Sequence, residues 1–325
     1  MRKSTCCGVN IKRYGGKRRQ CAFCKRTWSI RPARRGPKPL RQRPQFSFRV
    51  LSEGRSLRAF AQNSNTSREK VRRRFHRSLE TLFKRKRINI ENNWPGNDLI
   101  VLADALHANC EGRHIVIPMI ATRPETKSDF INLEVLDCFT GTETLENWSG
   151  AFRLLAEEKR TAIKAVVCDQ HGSLMKLAEK ENWLIQLCHF HLKARFYRFL
   201  GNRLKNISFM AERTLIWQAM GKIVSVTDDA EVIKLMAQLK QYSQISGLPS
   251  RLKSQTRSLA TNPWLFRTYL DYPQLNLPQT TSAMESVAGI VREMLRRRRG
   301  FKTISSLRTW LLYLKMDHPR IKINK

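Results

Sequence analysis

The chain has 325 residues, 41% of them hydrophobic, which is enough for two or three domains with their own cores and excludes a disordered polycation. Lysine and arginine total 61 against 26 aspartate and glutamate, a formal charge of +35 that points to a polyanionic partner, nucleic acid first. Up to Ile90 there are 28 basic and 3 acidic residues, so 25 of the 35 net charges fall in roughly the first quarter and the rest is only moderately basic.

No apolar stretch approaches the roughly 18 residues of a membrane span, and the N-terminus lacks the apolar core of a signal peptide. An intracellular protein with no membrane partner is expected. Eight cysteines, several inside apolar strands, suit a reducing compartment and thiols or metal ligands, not disulfides.

Residues 1–30 form a zinc-ribbon-like segment. Cys21 and Cys24 have the C-x2-C spacing that sets two thiolates on one tight turn, and Cys6 and Cys7 upstream complete a candidate structural zinc set. A regular first knuckle has its other cysteine three residues before Cys7, where this chain has Ser4. Adjacent cysteines chelate one ion awkwardly, so a degenerate ribbon is the competing reading. Residues 31–44 follow as a basic Pro/Arg linker suited to tracking phosphates.

Residues 45–90 are expected to form a helix-turn-helix DNA-binding domain. Ser56 to Ala61 starts a short helix, Asn63-Ser64-Asn65 makes a turn in which Asn65 can take a left-handed conformation, and Thr66 with Glu69 fits a capping box. Val71, Phe75, Leu79 and Leu82 then recur at helical spacing, leaving Arg68, Arg72, Arg73, Arg74 and Arg77 on the exposed face. Such a helix suits the major groove, or else is a solvated face of an ordinary bundle.

From Leu99 the pattern turns to short apolar runs, Leu99–Leu106, His114–Ala121 and Ile131–Phe139, joined at Gly112 and at 124–128. This predicts an antiparallel meander. Leu145, Trp148, Phe152 and Leu155 mark a helix, Ala162–Cys168 a fourth strand, Leu174–Ala178 a helix and Leu184–Leu187 a fifth strand. The order β-β-β-α-β-α-β is that of an RNase H-like fold with a mixed five-stranded sheet, whose first and fourth strands are neighbours. Residues 91–195 are its first part and 280–325 its C-terminal helices.

Asp104 interrupts an apolar strand with a carboxylate that has no cationic neighbour in that strand. A bound cation is one remedy for such burial. Asp169 ends the fourth strand, and strands about 4.8 Å apart let both carboxylates reach one ion. Glu285 is the best third carboxylate, although Ser282 and Glu285 equally fit a capping box, with Glu293 as its rival and Asp137 as a weaker alternative. The long stretch before Glu285 implies an all-α insertion, 196–279, with Leu200, Leu204, Phe209, Leu215, Ile216 and Met220 as core and Thr227 as a cap. Its aromatics Trp264 and Tyr269 suit either a core or a stacked base. Cys188 and His191 have zinc-ligand spacing without a second pair nearby, which favours a structural role.

Asp104, Asp169, the C-x2-H of Cys188 and His191, a helical insertion, and Glu285 introduced by Thr280-Thr281-Ser282 together resemble the mutator-type DDE transposases of bacterial insertion sequences. The resemblance spans about Leu99 to Trp310. It implies that Asp104, Asp169 and Glu285 are catalytic and hold magnesium or manganese, with Cys188 and His191 supporting them. It also implies DNA contacts from the basic residues Lys193, Arg195 and Arg296 to Arg299.

The expected partners are double-stranded DNA, as terminal inverted repeats and target, and further copies of the chain. The expected setting is the bacterial cytoplasm at the nucleoid. An RNase H-like nuclease or resolvase that cuts without joining, and a non-catalytic DNA-binding regulator, are the alternatives.

Overall fold

The structure is a computed structural model describing residues 6–8, 10–13, 18–29, 57–63, 65–75, 77, 98–124, 131–200, 208–297, 301 and 303–317. Ser4, the 31–44 linker, Leu79, Leu82, Leu204, Arg298 and Arg299, and the side chains of Leu200 and Arg297, lie outside them. The chain divides into two compact units, Met1–Ser47 and Phe48–Lys325.

In the first unit, β1 (Ile11–Arg13), β2 (Arg18–Cys21) and β3 (Thr27–Ser29) make an antiparallel sheet in that order. Cys21 closes β2 and opens a turn in which the Lys25 amide donates to the Cys21 carbonyl at 3.2 Å. Lys25, directly after Cys24, has φ 59°, and Gly8, directly after Cys7, has φ 63°. Both cysteine turns therefore end on a left-handed residue, which glycine adopts without strain at the first.

The second unit begins with α1 (Leu57–Asn63) and a helix over 68–75, α2. Asn65 has φ 46°, the left-handed turn that the sequence predicts. The cap is corrected by one residue. Lys70 N donates to Ser67 Oγ at 3.3 Å, so Ser67 caps α2 and Glu69 sits too early in the helix to close a box with Thr66. Glu69 pairs instead with Arg72 at 3.0 Å and Arg73 at 3.3 Å, the i+3 and i+4 neighbours. Val71 is buried and Phe75 packs against the sheet's core, while Arg68, Arg72, Arg73, Arg74 and Arg77 are exposed.

A mixed sheet organises the rest. β4 (Leu99–Cys110) and β5 (Arg113–Pro124) form a long hairpin closed by Glu111 and Gly112, both at positive φ (57° and 71°), the two-residue turn whose twist matches paired strands. The predicted third strand is broken by Asp137, whose carboxylate accepts from Cys138 N at 2.7 Å. It becomes β6 (Asn132–Leu136) and β7 (Phe139–Thr140), both pairing with β5. Helix α3 (Leu145–Phe152) and an unforeseen short α4 (Glu157–Thr161) lead to β8 (Ile163–Cys168). Then α5 (Gly172–Lys180) leads to β9 (Leu184–Leu187). The strand order is β6-β5-β4-β8-β9, with β8 parallel to both of its neighbours. The first and fourth core strands thus lie side by side, as expected, in a six-stranded sheet.

Alternation along β4 divides the core. Val101 and Ala103 face Trp148, Phe152, Leu174 and Leu177. Ile100, Leu102 and Leu106 face α11 (Ser282–Arg297) and α12 (Ile304–Asp317) through Met284, Val287, Leu307 and Trp310. The outer edge of β6 is protected from α12. Lys315 Nζ donates to the Glu134 carbonyl, and Arg308 donates to the Cys138 carbonyl through Nε and Nη2 at 3.2 and 2.9 Å.

Between β9 and α11 the chain is helical: α6 (His189–Leu200), α7 (Met210–Ile223), α8 (Asp229–Tyr242), α9 (Ser250–Thr261) and a short α10 (Thr268–Asp271). Ile216 and Met220 are buried as expected, but Phe209 and Leu215 are 36% and 44% exposed. Residue 209 is the left-handed start of α7, and a β-carbon added at Gly247, itself at φ 84°, comes within 2.3 Å of its ring. Asp228, not Thr227, caps α8 by accepting from Ala230 N at 3.0 Å. Trp264 stacks under the Arg267 guanidinium, 5.6 Å from the ring centre, and Tyr269 donates to the Val224 carbonyl at 3.0 Å. Both aromatics therefore brace the insertion. Among the described residues no helix is long and apolar enough to cross a membrane.

The corrected cap is directly testable. Ser67→Ala should cost α2 about 1 kcal/mol, seen as faster amide exchange over 68–75, whereas Thr66→Ala should change it by less than about 0.5 kcal/mol. The reverse ranking restores Thr66 as the cap.

Candidate metal centres

Asp104 belongs by alternation to the face of β4 that α11 covers, and it is 7% exposed. Its Oδ1 accepts from Ala105 N at 2.8 Å. Glu285 stands in the first turn of α11, where unpaired amides favour a carboxylate. The helix starts on Thr281, whose carbonyl accepts from Met284 N at 2.8 Å and Glu285 N at 3.1 Å. Ser282 is therefore already inside the helix and its hydroxyl pairs with that of Thr280 at 3.1 Å, so no Ser282–Glu285 capping box forms. The Glu285 carboxylate is left to meet His191 Nε2 at 3.0 Å and Arg292 Nη1 at 3.5 Å.

The ligand atoms of Asp104, His191 and Glu285 all lie within 4.8 Å of one another. Two of the three expected carboxylates are thus brought together, with His191 in place of the third. The β4–β8 register Leu102↔Val167, continued two residues, sets Asp169 level with Asp104. Its Oδ1, however, accepts from His171 N at 3.1 Å, and it stands outside the 4.8 Å group. Its charge still reaches both Asp104 and His191.

The electrostatics follow from burial. Desolvation drives the Asp104 carboxyl up to about 7, with Glu285 and Asp169 adding repulsion and His191 opposing it. Burial by itself lowers His191, but the Cys188 sulfur and the charges of Asp104 and Asp169 outweigh it and raise the imidazole to about 9. Its imidazolium is the counter-charge that β4 does not supply.

Cys188 explains why these groups meet. Its amide donates to the Cys168 carbonyl at 2.7 Å, immediately before Asp169. Its sulfur accepts from Thr281 N at 3.2 Å and Thr281 Oγ1 at 3.3 Å. Burial raises this thiol, yet donation from His191 and Thr281 brings it below its ordinary value. The neighbouring His189 amide donates to the Gln279 carbonyl at 2.8 Å. The Cys188–His191 turn therefore fastens the start of α11 to the ends of β8 and β9.

The sulfurs of Cys6, Cys7, Cys21 and Cys24 form a second group within the same 4.8 Å limit, so this cluster can also hold a metal ion. Cys6 and Cys24 sulfurs are 3.5 Å apart. Contact with Cys24, more than burial, pushes Cys7 up to about 12, as crowding of thiols does.

Asp137 pairs with Arg308 at 3.2 Å, and Glu293 belongs to neither metal-capable group. Lys193 and Arg296 are exposed, while Arg195 donates to Gln170 Oε1 at 2.5 Å. Sequence reasoning missed Arg292 and the full part played by His191. It also missed Glu143, whose side chain meets His107 at 2.8 Å, His171 at 3.5 Å and Trp148 Nε1 at 3.3 Å. No local pattern marks Glu143, because its partners lie on three separate elements. In comparisons with protein-family models and with curated proteins, the chain matches none.

The raised Asp104 has a measurable consequence. Its proton is held more tightly in the folded chain than in the unfolded one, so its burial costs nothing below about pH 4 and destabilises increasingly up to about pH 7. In chelator, Asp104→Asn should be more stable than the unsubstituted protein at pH 8 by roughly 2–4 kcal/mol, and equal to it at pH 4. Urea unfolding at both pH values checks this, and a pH-independent difference would remove the buried charge from the account.

Proposed function

We propose that this chain is a divalent-metal-dependent DNA transposase. In this reading an RNase H-like core carries Asp104, Asp169 and Glu285, a zinc ribbon and helix-turn-helix bind the terminal repeats, and copies assemble on DNA. The observation that carries it is the meeting of a buried carboxylate on the central strand with Glu285, from a helix far along the chain. A carboxylate so buried is costly unless a cation neutralises it.

Magnesium or manganese, when bound, supplies polarisation of the scissile phosphate and a lowered pKa for the attacking hydroxyl. Oxygen donors from Asp104 and Glu285 suit either ion, and the nearby imidazole tilts the set towards manganese. Asp169, the residue after the end of β8, is the third carboxylate once it leaves the His171 amide. Arg292 orients Glu285.

The reaction is in-line displacement at phosphorus. A water or DNA 3′-hydroxyl oxygen forms the new P–O bond as the bond to the leaving 3′-oxygen breaks; the attacking oxygen's proton passes to solvent, and the leaving oxygen takes one from solvent to become a 3′-hydroxyl. No covalent enzyme intermediate is required. Arg68, Arg72, Arg73, Arg74 and Arg77 present a cationic helix face to the major groove. Lys193, Arg195 and the basic run Arg296 to Arg299 supply phosphate contacts in this reading. Cys6, Cys7, Cys21 and Cys24 hold zinc, for which a four-thiolate set is typical.

A second reading has one observation in its favour. With His191 in the group and Asp169 outside it, the donor set also suits a nuclease that hydrolyses without joining.

Incubation with DNA carrying the gene's flanking inverted repeats separates these. Manganese should support nicking and joined products, and Asp104→Ala or Glu285→Ala should lower both at least a thousandfold with DNA binding retained. Nicks without joined product select the nuclease, and DNA binding with undiminished biological activity in the alanine variants selects the regulator. For the ribbon, one equivalent of zinc should be released by mercurial titration of the thiols, and Cys21→Ser should abolish it.

A further inference from the structure

Between β8 and α5 the chain is anchored on both sides of Asp169 and Gln170. On one side the Cys168 carbonyl accepts from Cys188 N at 2.7 Å. On the other, Glu143 meets the start of α5 twice: its Oε2 lies 3.5 Å from His171 Nδ1, and its carbonyl accepts from Ser173 Oγ at 3.0 Å. Glu143 is itself tied to β4 through His107 Nε2 at 2.8 Å and to α3 through Trp148 Nε1 at 3.3 Å. Two residues are left between these anchors, and among the described residues each makes one side-chain hydrogen bond. Asp169 Oδ1 accepts from the His171 amide at 3.1 Å, and Gln170 Oε1 accepts from Arg195 Nη1 at 2.5 Å.

The Gln170 tether is the one that a ligand can break. A guanidinium bound to a neutral amide gains less than one bound to a phosphate, where both partners are ionised and two parallel hydrogen bonds can form. Arg195 is half-buried, lies four residues after His191 on the same face of α6, and has the exposed Lys193 two residues before it. An anionic oxygen reaching that face competes with Gln170 for the guanidinium. Asp169 already acts through its charge on Asp104 and His191, so a short displacement of the freed turn brings it to them.

We infer that Gln170 and Arg195 are positioning residues that hold Asp169 out of the Asp104–His191–Glu285 group, and that a DNA phosphodiester taking the guanidinium lets it in. The inference rests on the DNA-acting, metal-dependent reading above and adds to it a link between the two ligands. Phosphate binding at Arg195 and metal binding at the carboxylates then strengthen each other, because one turn of chain serves both. The same face of α6 carries His191, which stands in the group, and the cation that keeps Asp169 from it.

The test measures the manganese affinity of the full chain from the electron paramagnetic resonance signal of the free ion, with and without a pre-cut duplex ending at the gene's flanking inverted repeat. Anisotropy confirms that the duplex is bound. Binding it should raise the manganese affinity about fivefold or more, as an added carboxylate ligand does. Gln170→Ala should give the same rise without DNA and leave little for DNA to add, with the melting temperature within a few degrees. Asp169→Asn should remove the rise in both settings, a dependence that loosened packing alone would not show. An affinity indifferent to Gln170→Ala, or a rise that survives Asp169→Asn, overturns the positioning role and leaves the metal site standing. Bound DNA that does not change the affinity overturns release by phosphate. No manganese binding, or binding that survives Asp104→Asn, overturns the metal reading as well.

Discussion

The second unit is arranged around one expensive act, the burial of the Asp104 carboxylate in the middle of a sheet. Hydrophobic strands can tolerate a charge there only if something on the covering layer opposes it. The covering layer supplies both an acid and a base, Glu285 from α11 and His191 from α6, within 4.8 Å of Asp104. The imidazolium opposes the buried charge, and desolvation raises the carboxyl to about 7. The same three groups are close enough together to hold a metal ion.

That meeting depends on a four-residue turn. Cys188 hydrogen-bonds through its backbone to the last residue of β8, just before Asp169, and through its sulfur to the residue that starts the Glu285 helix. Three segments distant in sequence are registered against one another by a buried thiol, a residue ordinarily regarded as small and apolar. Conservative replacement by serine changes the acceptor length as well as the polarity. Geometry at Glu285 is therefore set from outside its own helix.

Much of this was legible in the sequence because period-2 and period-3.6 patterns survive folding unchanged. The runs from Leu99 to Leu187 carry the element order apart from α4 and the split third strand, together with the strand adjacency of Asp104 with the end of β8, and the long stretch before Glu285 carries the helical insertion. Boundaries failed where one polar side chain outcompeted a pattern. Asp137 bonds the next amide and splits a strand, and Ser67 and Asp228 take caps from the threonines before them. At the site, Asp104 and Glu285 were found from charge placement. Cys188 and His191 are legible as a structural pair from the lack of a second pair nearby, but the meeting of His191 with Asp104 and Glu285 is not, because those partners are remote in sequence. Exposure of Phe209 and Leu215 was hidden for a related reason, since helical periodicity cannot say which faces the neighbouring helices leave uncovered.

Helix α6 has the site at one end and the insertion at the other. Its first turn holds His191, and near its far end the Phe199 carbonyl accepts from Arg213 of α7 at 2.7 Å while Tyr197 lies 6.3 Å from the Trp217 ring. Its twelve residues make a rigid rod about 18 Å long. A tilt of about 10° pivoted at the insertion end carries the imidazole end through about 3 Å, comparable to the whole His191–Glu285 contact. The insertion is in that sense placed as a lever arm, joined through Arg213 and Trp217 of α7 to the end of α6 opposite His191.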